Sequence, residues 1–288
     1  MTRSLFQFAF FLLAGIAQCA HAQTVTFKFT GIDAPEGFFY HKEKTMVLEM
    51  NVEKPKLVLI QLPGGNGSFG FNKFEGRPPR VVSKDDFKSE LKGNFPDIFR
   101  LMVNPNGSNL PINVLTVDSP YPLEELKHQV GFGFPKDRDL SEHQDRLLTV
   151  LDHYKNLGLP IWIVGHSNGT FSATRFMSTL KSKNRENDIA GLILSSSRDV
   201  ILAEKIPNIT TLFIHSEQDR CSTTPYAKAH QNFLETKARN KATTEFIQIN
   251  NGKEQQGDPC FTGIHMYNGA YDEVSQVLTD FLKRHAGL

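Results

Sequence analysis

Residues 161–180 narrow the fold more than any other stretch. An apolar segment, Ile161 to Val164, passes through Gly165-His166-Ser167-Asn168-Gly169 into a run with Ala173, Phe176, Met177 and Leu180 at helical spacing. A Gly-x-Ser-x-Gly turn between a strand and a helix has the layout of a nucleophile elbow. The spacing has a steric cause: side chains at positions 165 and 169 would collide with neighbouring backbone, and glycine removes them. Ser167 is the candidate nucleophile. The N–H of Asn168, at the start of the helix, is a candidate oxyanion donor, because it is unpaired and lies at the positive end of the helix dipole.

By itself the five-residue pattern is short enough to be an ordinary glycine-rich turn, so the rest of the chain decides its meaning. Lys56 to Leu62 reads as a buried strand and ends in Pro63-Gly64-Gly65-Asn66-Gly67. A glycine loop after such a strand suits the second half of an oxyanion hole, with Gly65 as donor and Asn66 as alternate. Phe27 to Phe29, Met46 to Met50, Ile112 to Val117, Ile189 to Leu194, Thr210 to His215 and Glu245 to Ile249 are further strand-like segments. Helical patterns separate the later ones. Ser141 with Gln144 forms a capping-box pattern before Leu147, Val150, Leu151 and Tyr154. Tyr226, Ala229, Phe233 and Leu234 form a second apolar face, and Val274, Val277, Leu278, Phe281 and Leu282 a third. Strands alternating with helices predict a mainly parallel central sheet with helices on both faces.

Between these elements, residues 68–110 are irregular and broken by prolines, with short helical pieces expected at Phe87–Leu91 and Asp97–Met102. Residues 119–139 form an excursion that either covers the pocket or runs as a surface loop. No repeat or low-complexity linker divides the chain. A single domain over residues 23–288 is expected.

Residues 1–22 have a basic start at Arg3, an apolar stretch from Leu5 to Ile16 and Ala20-His21-Ala22 before Gln23, the pattern of a secretory signal with its cleavage site. A lipoprotein signal through Cys19 is the other reading, and Gln18 fits it badly. Cleavage takes the formal net charge from +1 to 0, and no basic run favours nucleic acid as a partner. No later segment is apolar enough to span a membrane. The expected partner is a small molecule and the expected location periplasmic or secreted; oligomeric state is not legible. Cleavage also leaves Cys221 and Cys260 as the only cysteines, which in an oxidising compartment predicts a disulfide. The plainer reading is two buried thiols.

A serine hydroxyl needs a base, and on this architecture the chain order is serine, acid, histidine. Asp219 follows the strand ending at His215, and His265 follows the strand ending near Ile249. Asp199, after the preceding strand, is the alternative acid. Cys221 lies two residues after Asp219 and Cys260 five before His265, so a disulfide would tie the acid loop to the histidine loop. His215 reads as a core residue and His166 as the variable elbow position. No metal-ligand spacing and no cofactor motif is present.

With these motifs in place, the chain resembles the α/β-hydrolase superfamily over most of residues 23–288. It is more closely similar to secreted bacterial serine hydrolases of largely unassigned substrate, which carry G-x-S-x-G, then H-x-x-x-D-x-C-x-x-T-P, then P-C before a histidine. Here those are Gly165 to Gly169; His215, Asp219, Cys221, Thr224 and Pro225; and Pro259, Cys260 and His265. Met266 stands where that group often has glycine, and Pro63 where many esterases have histidine. The resemblance implies the α/β-hydrolase fold and a hydrolytic Ser167-His265-Asp219 triad acting on an ester-type acyl bond. A ligand-binding protein that kept the fold without turnover, and an acyltransferase, are the rival expectations.

Overall fold

Short apolar runs dominate the middle of the chain, and a strand buried on both faces must be apolar along its whole length. The computed structural model describes residues 25–33, 44–65, 67, 71, 76, 78–81, 110–118, 138 and 141–288. Among the described residues nine strands form one sheet: β1 (Val25–Asp33), β2 (Lys44–Val52), β3 (Leu57–Leu62), β4 (Arg80–Val81), β5 (Ile112–Val117), β6 (Ile161–His166), β7 (Gly191–Ser195), β8 (Thr210–Ser216) and β9 (Thr244–Ile249), in the order β4-β1-β2-β5-β3-β6-β7-β8-β9. From β5 to β9 every pairing is parallel, while β1 pairs antiparallel with β2 and β4, and β2 with β5. All residues of β3, β5, β6 and β7 are buried.

Alternation along each strand sends side chains to two separate cores. Ile161 and Ile163 of β6 face one core, shared with α1 (Ser141–Lys155), α2 (Asn168–Ser182) and Phe233 of α3 (Tyr226–Arg239). Trp162 and Val164 face the other, closed by Val274, Leu278, Phe281 and Leu282 of α4 (Tyr271–His285). The mainly parallel sheet with helices on both faces is therefore present.

Two local expectations are corrected. Gln144 does not close a capping box on Ser141, which lies inside α1; its amide donates instead to the Arg138 carbonyl at 2.7 Å. Leu234 is exposed, and the buried face of α3 carries Ala229, Asn232, Phe233 and Thr236. The Tyr226-Ala229-Phe233-Leu234 pattern thus holds only in part, because α3 covers the sheet near its edge and has a narrower apolar stripe. The signal at 1–22, the helical pieces at Phe87–Leu91 and Asp97–Met102, Asn66, and the 119–139 excursion apart from Arg138 lie outside the described residues.

Because the strands from β5 onward run the same way, their C-terminal ends share one edge, where open α/β sheets form their crevice. Register sets what meets there: Leu62 of β3 pairs with Gly165 of β6, His166 with Ser195 of β7, and Ser195 with Ile214 of β8. The glycine turn after β3 and the elbow after β6 are neighbours for that reason.

Candidate active site

Ser167 takes φ 52° and ψ −121°, a left-handed backbone at the junction of β6 and α2. Its N–H donates to Ser195 O at 2.9 Å, and its carbonyl accepts from the Thr170 N–H (2.9 Å) and Thr170 Oγ1 (2.6 Å). The sharp turn brings Gly165 against Gly169 and Gly169 against β3: a Cβ on Gly165 would lie 2.4 Å from Gly169 O, and one on Gly169 1.9 Å from Leu62 O. Neither contact could be relieved by moving a side chain, so both glycines are required by shape.

The turn after β3 packs directly on the serine. A Cβ on Gly64 would meet Ser167 Cβ at 3.1 Å. Gly65 has φ 56°, and the turn closes through Gly67 N–H to Gly64 O at 3.0 Å. Asn168 Nδ2 donates to Gly65 O at 2.9 Å, joining the two candidate oxyanion donors. Among the described residues neither the Gly65 N–H nor the Asn168 N–H has an acceptor.

Asp219 and His265 come together across 46 residues of chain: His265 Nδ1 lies 2.8 Å from Asp219 Oδ2, with both side chains buried. A carboxylate only accepts, so Nδ1 carries the proton and Nε2 presents a lone pair. Thr224 Oγ1 also donates to Asp219 Oδ2 (3.0 Å), and the Cys221 N–H to Oδ1 (2.9 Å). His265 packs on His166, the residue before the serine, with ring centroids 5.0 Å apart. Its Nε2 is buried and has no hydrogen-bond partner among the described residues, Ser167 included.

Two fastenings hold the histidine turn, Gly263–Met266. On one side Cys260 is disulfide-bonded to Cys221, with Cα atoms 4.5 Å apart. On the other, Tyr267 is fully buried at φ 55° and donates its hydroxyl proton to Ile214 O at 3.1 Å. Ser195 Oγ (2.9 Å) and Ser196 Oγ (3.2 Å) then donate to the Tyr267 oxygen, and His166 Nδ1 donates to Ser195 Oγ (3.1 Å). Burial pushes the Tyr267 hydroxyl up to about 12, so it stays a donor. Met266 is accommodated because Tyr267, not a glycine, supplies the left-handed residue that ends the turn.

The other candidates fall into place around this centre. Asp199 pairs with Arg198 Nε at 3.4 Å, and the carboxylate bonded to His265 is Asp219. His215 donates from Nδ1 to Ser216 O at 3.0 Å; its Nε2 is 4.0 Å from Asp219 Oδ2, too far for a hydrogen bond. Burial lowers its pKa, so this is packing between a neutral ring and a carboxylate. Thr224, Tyr267, Arg138 and Arg198 gather at the site without having been singled out for any role from the sequence. Thr224 stood inside a quoted motif, but the other three had no local signal. Among the described residues no three His, Cys, Asp or Glu side chains cluster as a metal site requires.

Three histidines are held neutral by their surroundings. Burial, with the charges of Arg138 and Arg146, lowers His143 to about 3. Burial lowers His166 well below its usual value and lowers His215 too. In the unfolded chain each titrates near 6.5, so below that pH the unfolded state binds more protons and stability falls with pH. His143 alone is expected to cost about 1.4 kcal/mol between pH 7.5 and 5.5, with His166 and His215 adding to it. Urea unfolding at the two pH values checks this; an unchanged midpoint would contradict the buried neutral assignments.

No protein-family model matches the chain, and no curated protein matches its sequence. Solved structures do match in shape. A lidless α/β serine hydrolase from Xanthomonas campestris aligns with TM-score 0.55 at 12% identity, over 90% of this chain and 94% of that one. The dienelactone hydrolase of Anabaena variabilis gives TM-score 0.55 at 12% identity, covering 92% and 99%. A Rhizomucor miehei esterase gives 0.56 at 12% identity, covering 91% and 84%. These likenesses show the fold.

Proposed function

From its α/β-hydrolase fold, we propose that this protein is a serine hydrolase cleaving an ester-type acyl bond of a small molecule. The observation that carries the reading is the His265–Asp219 hydrogen bond of 2.8 Å, which leaves a buried Nε2 lone pair on a ring packed against His166, the residue before the elbow serine. Ser167 attacks the substrate carbonyl while His265 Nε2 takes its proton; Asp219 holds the ring in that tautomer and stabilises the imidazolium. Because His166 stays neutral, no second positive charge opposes this step. The N–H groups of Gly65 and Asn168 hold the oxyanion. His265 then protonates the leaving alkoxide, and water attacks the acyl-enzyme with His265 again as base. The fold of the lidless serine hydrolase and of the esterase above is compatible with this chemistry.

The reading extends to place. A cleaved signal at residues 1–22 would deliver the chain to the periplasm or outside the cell. The Cys221–Cys260 disulfide supports this, and no helix among the described residues is long and apolar enough to cross a membrane.

The test is labelling by a fluorophosphonate, which reacts with an activated serine, followed by peptide mapping. Stoichiometric labelling at Ser167 in the folded, oxidised protein, absent in Ser167→Ala, is the expected result. An unlabelled wild type would overturn the reading, and tight ligand binding without turnover would then identify a binding protein.

A further inference from the structure

Two glycines in succession are the softest backbone available, since neither has a Cβ to restrict φ and ψ. If Gly65 donates its N–H to an oxyanion, as the proposed function requires, something other than its own conformational preference must keep the Gly64–Gly65 peptide from turning over. Arg138 does this in the structure. Its Nη2 reaches Gly64 O (3.3 Å) and Gly65 O (3.0 Å) together, from a buried position. In a trans peptide the C=O and the following N–H point in opposite directions. Holding Gly64 O toward the guanidinium therefore fixes the Gly65 N–H on the opposite side of the turn, away from Arg138. Gly67 N–H, also on Gly64 O, reinforces the same orientation.

The clamp is continuous with the elbow. Arg138 Nη1 donates to Ser172 Oγ at 2.8 Å, and Ser172 in turn lies 3.0 Å from His143 Nε2. The neutral His143 accepts the Ser172 proton, so the hydroxyl oxygen is free to receive Arg138. Ser172 stands four residues after Asn168 on α2, on the same face of the helix. Asn168 Nδ2 holds Gly65 O directly, and Asn168 Oδ1 is itself held by Arg198 Nη1. Both candidate donors are thus built into one bonded unit running Arg198, Asn168, Gly65, Arg138, Ser172, His143.

We infer that Arg138 is a positioning residue of the oxyanion hole: its guanidinium locks the Gly64–Gly65 turn so that the Gly65 N–H stays aimed at the reacting carbonyl oxygen, with the Asn168 side chain as second fastening. The clamp acts on the transition state. It touches neither the acyl chain nor the leaving group, so substrate affinity should be spared. A lysine at 138 has one nitrogen to place on the two carbonyls and none left for Ser172 Oγ, which the planar guanidinium holds through Nη1 while Nη2 holds the turn.

This inference rests on the proposed hydrolase reading, and the experiment separates the two. Wild type, Arg138→Met, Arg138→Lys and Asn168→Ala are titrated with the fluorophosphonate, and kcat and KM for an activated p-nitrophenyl ester are measured per titrated serine. Affinity for a boronic acid, which forms a tetrahedral adduct on serine, is measured alongside. Arg138→Met is expected to lower kcat about 100-fold, the size of a lost oxyanion donor, with KM within about threefold. Boronate affinity should fall in step with kcat/KM, and Arg138→Lys should recover part of both. Counting only titrated sites removes the effect of a smaller folded fraction. A kcat per site within threefold of wild type, or a loss confined to KM, would overturn the inference while leaving the hydrolase reading intact. A wild type that is not labelled removes both. If Arg138→Met does not fold, Arg138→Lys and Asn168→Ala decide by the same criterion.

Discussion

His265→Ala is expected to lower kcat for an activated ester by about 10⁶-fold, and Asp219→Asn by about 10⁴-fold. The second value follows from a single atom. An asparagine amide would donate where the carboxylate accepts, so its NH₂ would face His265 Nδ1, which lies 2.8 Å from the present Oδ2. Nδ1 would then be the acceptor, and the proton would move to Nε2, where the lone pair is needed. Shape would be preserved and the base lost. Combining either substitution with Ser167→Ala should cost little more than the serine change alone, because the three act as a unit. Steady-state rates per folded molecule test this. An Asp219→Asn enzyme retaining a tenth of wild-type kcat would remove Asp219 from the role assigned to it.

Reduction of the Cys221–Cys260 bond is expected to lower stability and activity together. The bond spans 39 residues, and on the chain-entropy model a loop of that length stabilises by roughly 4 kcal/mol. For a domain of this size that corresponds to about 10 °C in thermal midpoint. The catalytic consequence has a separate origin. Cys221 donates its N–H to Asp219 Oδ1, and Cys260 begins the approach to His265, so the bond joins the two loops that carry the proposed acid and base. Paired Cys221→Ser and Cys260→Ser substitutions should reproduce the effect of reductant, and the oxidised protein should be insensitive to a non-reducing analogue. A reduced protein with wild-type midpoint and kcat would contradict both parts.

Much of this architecture could be read in advance where the determining forces are local. The strand at Ile112 to Val117 and the elbow strand were legible because burial on both faces leaves an unbroken apolar run. The elbow was legible because steric exclusion at Gly165 and Gly169 acts within five residues. Chain order put Asp219 and His265 forward as acid and base candidates, and the structure places their side chains 2.8 Å apart. Pairing was not legible: the antiparallel contact of β2 with β5 joins Val47 to Val117, partners far apart along the chain. Arg138 was invisible for the same reason, since its acceptors at Gly64 and Gly65 lie 74 and 73 residues away. Leu234 misled because a helix near a sheet edge buries a narrower stripe than apolar spacing alone suggests.

Strands β3 and β6 lie side by side with neighbours on both flanks, and the loops after β8 and β9 hang at the sheet's far end. In terms of local unfolding, Ser167 and the glycine turn after β3 are expected to belong to the last cooperative unit to open, and Asp219 and His265 to one that opens at lower free energy. On the proposed roles, thermal inactivation of such a molecule is expected to begin as a parting of His265 from Ser167, with the serine still seated in an intact sheet. On that reading the covalent bridge between the two outer loops guards working lifetime in addition to the thermal midpoint of the domain.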